Sequence, residues 1–336
     1  MQTRRFVLAS RPQGVPRETD FRLETSDLDA PQDGQIVVAN EYASVDPGMR
    51  ARLGEEATYA APLQIGETIE GATVGRVIAS RNPKFSEGDW VAAAFGWSEH
   101  GRSDGRGVRK IADQRVPPSA QIGVLGIPGL TAYFGMLDIG KPKEGDTVLV
   151  SSAAGAVGSA AGQIAAIHGA RVIGIAGGAD KSAWLRKIGF ADGIDRHAEP
   201  DLGAAIARAC PQGVDIVFDN VGNSFLSAML PLMRRGGRII VSGQVADYNT
   251  PAGERPGLCN TSHFITSRLT MRGLVAFDYV REFPKAWTDL AQWIIDGKLK
   301  YREDIDDGFE NLPRAFIGLF KGDNFGRKLV RIKHQI

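Results

Sequence analysis

The residues best suited to chemistry begin with SSAAGAVGSAAGQIA, Ser151 to Ala165. Gly155 and Gly158 fall in the spacing A-x-G-x-x-G, with Ala153 where a first glycine is common. The apolar run Thr147 to Val150 before them reads as a buried strand. The small-residue run after them, with Val157, Ala161, Ile164 and Ala165 on one face, reads as a helix. Strand, glycine turn and helix leave unpaired helix N–H groups on which a nucleotide pyrophosphate can sit. Gly155 and Gly158 would let backbone approach the phosphates, and Gly162 would let the helix pack close to the sheet. The same residues would also serve a tightly packed small-residue helix with no ligand.

A second set of residues lies at the end of the next strand. It closes on Ile175-Ala176-Gly177-Gly178, without the acid that normally holds the ribose hydroxyls of NAD. Lys181 opens the following helix and Arg196 ends the third strand. Cations without a carboxylate suit a phosphate on the ribose, so the expected cofactor is NADP(H). Asp180 complicates this: it could cap the helix or bind a ribose hydroxyl. Taken singly, Lys181 and Arg196 are also consistent with solvated surface charges.

These residues need a scaffold. From Asp146 the chain alternates strands, expected at 147–151, 171–176, 193–195, 214–219, 238–242 and 270–276, with helices at 157–168, 180–188, 201–209 and 223–233. Alternation of this kind predicts a doubly wound parallel sheet covered on both faces. Residues 1–122 read instead as strand and turn, with strands at 34–40, 72–79 and 90–95, which suggests a small barrel-like β domain. The polar, Gly-rich stretch Glu99 to Arg109 reads as a surface loop. A turn near Leu125 feeds a helix that joins the two regions, and a helix near 281–296 leads out of the second. The extended run Lys328 to Ile332 returns to complete the first. The expected domains are thus 1–122 with 298–336, and 123–297.

Composition narrows the function classes. Of 336 residues, 43% are hydrophobic and 24% charged, which fits a soluble globular chain. No apolar run approaches a transmembrane span and no signal-peptide core follows the first residues, so the expected location is cytoplasmic. A net charge of +1 gives no reason to expect nucleic acid or a membrane surface as partner. Cys210 and Cys259 are expected to be free thiols. Zinc catalysis is disfavoured: residues 1–122 hold no cysteine and one histidine, and the five histidines (His100, His168, His197, His263, His334) show no ligand spacing. Nor is there a nucleophile elbow or P-loop.

In order along the chain stand Ser44-Val45-Asp46-Pro47-Gly48-Met49-Arg50, Gly126-Ile127-Pro128-Gly129-Leu130-Thr131-Ala132-Tyr133, the glycine turn, Ala176-Gly177-Gly178, Phe218-Asp219-Asn220-Val221-Gly222, Ser242-Gly243-Gln244 with Tyr248-Asn249, and Gly322-Asp323-Asn324-Phe325-Gly326. With this set the chain resembles the zinc-independent medium-chain dehydrogenase/reductases over nearly its whole length. Within them it is similar to the NADPH-dependent alkenal/alkenone double-bond reductases, which include the prostaglandin reductases. The resemblance implies an α/β architecture, a GroES-like β-rich catalytic domain beside a Rossmann doubly wound parallel-sheet domain, and a homodimer. It implies that Gly155, Ala156 and Val157 hold the pyrophosphate, and that Gly177 and Lys181 meet the adenosine ribose and its 2′-phosphate. Asn220 would lie near the nicotinamide ribose, and Ser242, Tyr248 and Asn324 along the cofactor. Two positions depart from the family: Gly48 and Arg196 each stand where a tyrosine is common.

The implied reaction is reduction of the C=C bond of an α,β-unsaturated aldehyde or ketone. Hydride goes to the β-carbon while charge builds on the carbonyl oxygen, where Tyr248 and a cofactor ribose hydroxyl would stabilise the enolate. Tyr248 or water would then protonate the α-carbon. Tyr42, Met49, Tyr59, Trp97, Phe277 and Tyr279 are candidates for an apolar substrate pocket, although aromatics in such a chain are more often core. Tyr248 could equally be a turn residue that only packs, and Asp46 with Arg50 a structural ion pair. A quinone oxidoreductase of the same superfamily and a non-catalytic NADPH-binding protein remain the alternatives.

Overall fold

Short β-branched runs between glycine and proline turns make the first region a strand-rich one. Its strands are β1 (Gln2–Leu8), β2 (Phe21–Asp27), β3 (Ile36–Ser44), β4 (Thr73–Ser80), β5 (Trp90–Ala93), β6 (His100–Ser103) and β7 (Arg109–Lys110). The computed structural model describes residues 1–55 and 60–333. Next come α1 (Ile127–Phe134), β8 (Thr147–Val150), α2 (Ala156–Ile167), β9 (Arg171–Ala176), α3 (Ala179–Lys187), β10 (Asp192–Asp195), α4 (Leu202–Ala209), β11 (Val214–Asp219), α5 (Asn223–Met229), β12 (Met233–Val241), α6 (Ser262–Thr266), β13 (Thr270–Gly273) and α7 (Phe283–Ile295). The chain closes with β14 (Glu303–Asp307), α8 (Leu312–Leu319) and β15 (Arg327–Arg331). Two units result: Met1–Gly123 with Glu303–Asn324 and the residues from Lys328 on, and Val124–Arg302 with Phe325–Arg327.

In the first unit β1 and β2 form an antiparallel pair, and the larger sheet runs β14-β15-β3-β4-β5-β7 with β6 on β3. Its core is aromatic. Trp97, fully buried, meets Phe6 and Phe316 edge-on at 6.2 and 5.9 Å, and its indole N–H donates to the carbonyl of Ser44. Such edge-to-face contacts add to simple area burial. Trp97 is therefore a core residue, not a pocket wall.

The stretch Glu99 to Arg109 is a correction to the sequence reading, because it holds strand β6 and ends where β7 begins, where a surface loop was expected throughout. β6 pairs with β3, Ile36 facing Ser103 and Ala39 facing His100. Glu99 is buried, and its carboxylate accepts from the Arg4 guanidinium at 2.6 and 3.0 Å and from the Arg4 N–H at 3.0 Å. Polarity misled because the charge is neutralised by a residue 95 positions away.

The second unit carries a six-stranded sheet ordered β10-β9-β8-β11-β12-β13, parallel in every pair. Strand order reverses between β8 and β11, the place where such sheets open a crevice at their carboxyl ends. Boundaries shifted where glycine and proline intervene. The expected helix 223–233 stops at Met229, since Pro231 lies in a 3₁₀ turn, and β12 starts at Met233 rather than 238. A register irregularity opposite Gly236 and Gly237 hides this strand's alternation. β13 stops at Gly273, three residues early. Cys210 is buried, Cys259 exposed, and both are free. No helix among the described residues is long and apolar enough to cross a membrane.

Candidate functional site

β8 hands directly to a tight turn. Ser152 takes φ +50°, Gly155 caps α2 in an extended conformation, and no side chain caps that helix. Its first N–H groups therefore point out of the turn with no side-chain acceptor, which fits a pyrophosphate. A Cβ at Gly158 would fall 2.5 Å from the Ser152 carbonyl, so that glycine is required by the turn itself. At Gly162 it would fall 2.0 Å from the Phe190 ring, so this glycine admits Phe190 rather than a strand. Ala153 in place of glycine is matched across the sheet: a Cβ on Gly174 in β9 would lie 2.8 Å from the Ala153 methyl. The missing side chain has moved from the turn to the neighbouring strand. Gly326, at φ +83°, closes the other side; its N–H donates to the carbonyl of Ala154 at 3.0 Å.

The end of β11 is stitched to this turn by a carboxylate the sequence reading did not single out. Asp219 has no exposed surface. It accepts from the Ser151 hydroxyl (2.8 Å) and from the N–H groups of Val221 (2.9 Å) and Gly222 (3.0 Å). Ser151 Oγ in turn accepts from the Asn220 N–H at 2.8 Å, and the Asn220 side-chain amide donates to the Ser151 carbonyl. Burial pushes the Asp219 carboxyl up to about 6, and the nearby Asp247 adds to this; the three donors pull the other way. A Cβ at Gly222 would lie 2.5 Å from Asp247 Oδ2, so only glycine fits between the two carboxylates. The signal available in sequence was an acid directly after an apolar strand.

Loop 242–246 is laced onto the same place. Ser242 and Gly243 donate to the carbonyl of Asp219, and Val245 to that of Asn220. The Tyr248 hydroxyl accepts from the Gln244 N–H at 3.3 Å. A Cβ on Gly243 would lie 3.3 Å from that hydroxyl and 3.4 Å from the Asn220 carbonyl oxygen. Asn220, Ser242 and Tyr248 thus converge at the carboxyl ends of β11 and β12.

At the far end of the turn, Gly177 is covered by Arg196 and His197. A Cβ there would lie 2.8 Å from His197 Cε1 and 3.2 Å from Arg196 Nε. Lys181 sits half-buried in the first turn of α3. Asp180 is exposed in that same turn and no side chain caps the helix. Asp195 accepts from the N–H groups of Gly178 (2.7 Å) and His197 (2.9 Å), which hold its carboxyl below the usual range.

The expected pocket residues fall in both units. Tyr42 is in the first unit, its hydroxyl accepting from Arg331 Nε at 3.2 Å. Met49 packs against the aromatic core of the same unit and its sulfur accepts from the Asp46 N–H. Asp46 also accepts from the Ser44 hydroxyl, while Arg50 donates to the carbonyls of Pro12 and Gly14. Asn324, also in the first unit, borders a cavity of about 240 Å³ with Asp306, Arg314, Asp323 and Lys328. In the second unit, Tyr279 stacks on Phe134 at 4.4 Å and donates to Asp138 at 2.7 Å, while Phe277 is exposed. Desolvation and the Asp138 carboxylate push the Tyr279 phenol up to about 12. Tyr59 lies outside the described residues. No group of three or more His, Cys, Asp or Glu side chains able to hold a metal occurs among the described residues.

A profile described as the N-terminal domain of oxidoreductases matches residues 4–111, and one described as zinc-binding dehydrogenase matches 156–294. The NADPH-dependent curcumin reductase of Escherichia coli K12 is 42% identical over 98% of this chain and 97% of its own length. A 2-alkenal reductase (NADP(+)-dependent) of Nicotiana tabacum is 38% identical over 100% and 99%. The crystal structure of CurA from Vibrio vulnificus in complex with NADPH superposes with a TM-score of 0.93 at 41% identity, covering 99% of this chain and 100% of that one. With likeness of this extent over both units, the chain belongs to the medium-chain dehydrogenase/reductase family.

Proposed function

We propose that this protein is an NADPH-dependent reductase of the C=C bond in α,β-unsaturated aldehydes and ketones. The observation that carries the reading is the pairing of an uncapped glycine turn with a cationic rim at Gly177, matched to relatives named for NADPH-dependent reduction. Bound NADPH supplies the hydride. The N–H groups at Ala156 and Val157 bind the pyrophosphate, and the Asp219–Ser151–Asn220 network holds that turn against the β11 loop. Tyr248 donates to the carbonyl oxygen of the enone, where charge accumulates, and protonation of the α-carbon completes the addition of two hydrogens. NADPH oxidation with enals, enones and quinones tests this; turnover of enals and enones is expected, and activity confined to quinones contradicts it. Treatment with EDTA is expected to leave the rate unchanged.

Coenzyme choice gives a second expected outcome. Lys181→Ala removes an ammonium from the rim while leaving the pyrophosphate turn intact. The ratio of kcat/KM for NADPH over NADH should fall roughly tenfold, the scale of one charge-assisted hydrogen bond. An unchanged ratio transfers that role elsewhere.

The working form is a cytoplasmic homodimer. β13 ends the sheet order of the second unit, and all four of its residues are exposed, Met271 among them at 42%. An edge strand of this kind is a template for pairing with a second copy across a two-fold axis. Met271→Glu sets like charges against each other there, and light scattering should show the mass halved. A variant that keeps the wild-type mass rules out this edge.

A further inference from the structure

We infer that Asp247 is a positioning residue for Tyr248: its carboxylate and that of Asp219 bear on the same glycine, and the proton held between them sets where the loop carrying the phenol rests. This rests on the enone-reductase reading above, which puts Tyr248 at the reacting carbonyl, and adds what governs its placement. Gly222 is the shared point. Its N–H donates to Asp219 Oδ2 at 3.0 Å, and a Cβ on it would lie 2.5 Å from Asp247 Oδ2. Both acids are buried, Asp219 completely and Asp247 to 6% exposure. Asp219 is fixed by Ser151, Val221 and Gly222. The Asp247 carboxylate makes no hydrogen bond or ion pair among the described residues. That residue is held by its backbone: its N–H donates to the Gln244 carbonyl at 2.9 Å, and its carbonyl accepts from the Thr250 N–H at 3.1 Å. The Gln244 N–H donates to the Tyr248 hydroxyl, so the turn that carries Asp247 also carries the phenol.

A buried carboxylate without donors is costly while ionised, and a second one across a single glycine adds repulsion. The pair faces the Ser151 hydroxyl from β8, Gly222 at the start of α5, and Tyr248 from the loop; beyond β12, the N–H groups of Ser242 and Gly243 go to the Asp219 carbonyl. Arg255, further along, is turned to the Thr250 carbonyl at 3.0 Å. Neither carboxylate has an ion-pair partner among the described residues. Burial raises the Asp219 carboxyl to about 6, and the Asp247 charge adds to the rise. Repulsion is therefore greatest when Asp219 has lost its proton and is relieved as the proton returns. The side that gives is the Asp247 turn, because Asp219 is pinned by three donors at the end of an interior strand. Acidification draws the loop toward β11 and settles Tyr248; loss of the proton lets it out.

The test compares wild type with Asp247→Asn and Asp247→Ala, which both remove the charge, the second without adding an amide. kcat for a simple enone at saturating NADPH is followed from pH 5 to pH 8. The pH dependence of the chemistry is common to all forms and cancels in the variant-to-wild-type ratio. For both variants that ratio should be about threefold higher at pH 8 than at pH 5, the change centring near 6. Hydrogen exchange of the amides of residues 244–248, corrected for the intrinsic rate, gives a readout apart from turnover. Wild type should be more protected at pH 5 than at pH 8, and the variants equally at both. A ratio that is flat with pH, including an equal loss of activity throughout, or wild-type protection that does not change with pH, overturns the role of Asp247. A protein that reduces no enone yet shows the pH-dependent protection overturns the reductase reading and leaves the carboxylate pair standing.

Discussion

Asp219→Ala is expected to destabilise the protein by about 3 kcal/mol at pH 7, the largest single effect on stability in this account. Three donors converge on that carboxylate, from Ser151, Val221 and Gly222, and all three lose this acceptor when it is removed. Each buried donor left unsatisfied costs about 1–3 kcal/mol. Part of this is offset, because the ionised carboxylate is itself costly to bury; a rise from 3.8 to about 6 corresponds to roughly 3 kcal/mol. The pH dependence follows from the same shift. Between those two values the folded form binds a proton that the unfolded chain does not, so this group stabilises the fold more as pH falls. The gap between wild type and variant should therefore widen by about 1 kcal/mol from pH 7 to pH 5. Urea unfolding at both values measures it; a gap below 1 kcal/mol at neutral pH, or one that narrows on acidification, contradicts the network described.

Tyr248→Phe is expected to lower kcat about a hundredfold while leaving KM for NADPH within a factor of two. Removing one preorganised donor to a developing oxyanion costs on the order of 10²–10³ in rate. The phenol oxygen accepts from the Gln244 N–H, and accepting a hydrogen bond makes an O–H a better donor. The Tyr248 atom nearest Gly243 is the hydroxyl itself, so phenylalanine removes that oxygen and keeps the ring. Steady-state kinetics separate the two roles. An unchanged kcat would return Tyr248 to the turn as a packing residue.

Much of the scaffold is legible from local pattern. The strand and helix periods of the second unit specify its elements, and β9, at 171–176, and β11, at 214–219, fall at the expected residues. Local pattern fails where the partner is distant. Glu99 looks solvated until Arg4 is brought to it, and β6 looks like a loop until β3 pairs with it. The departure at Ala153 is explained only across the sheet, by Gly174. Likewise the motif that holds Asp219 does not reveal its role; its importance comes from the turn 68 residues earlier that supplies its hydroxyl donor. The aromatics were the least legible, because an apolar ring looks alike in a pocket and a core. Trp97 and Tyr279 are held by neighbours that sequence spacing does not reveal.

The central claim is that hydride from NADPH is delivered to the β-carbon of an enone. Reduction of a simple enone with [4,4-²H₂]NADPH, followed by NMR of the product, tests it directly. The account predicts a saturated ketone with one deuterium at the β-carbon and a solvent-derived hydrogen at the α-carbon. Deuterium on the carbonyl carbon of an allylic alcohol would contradict it.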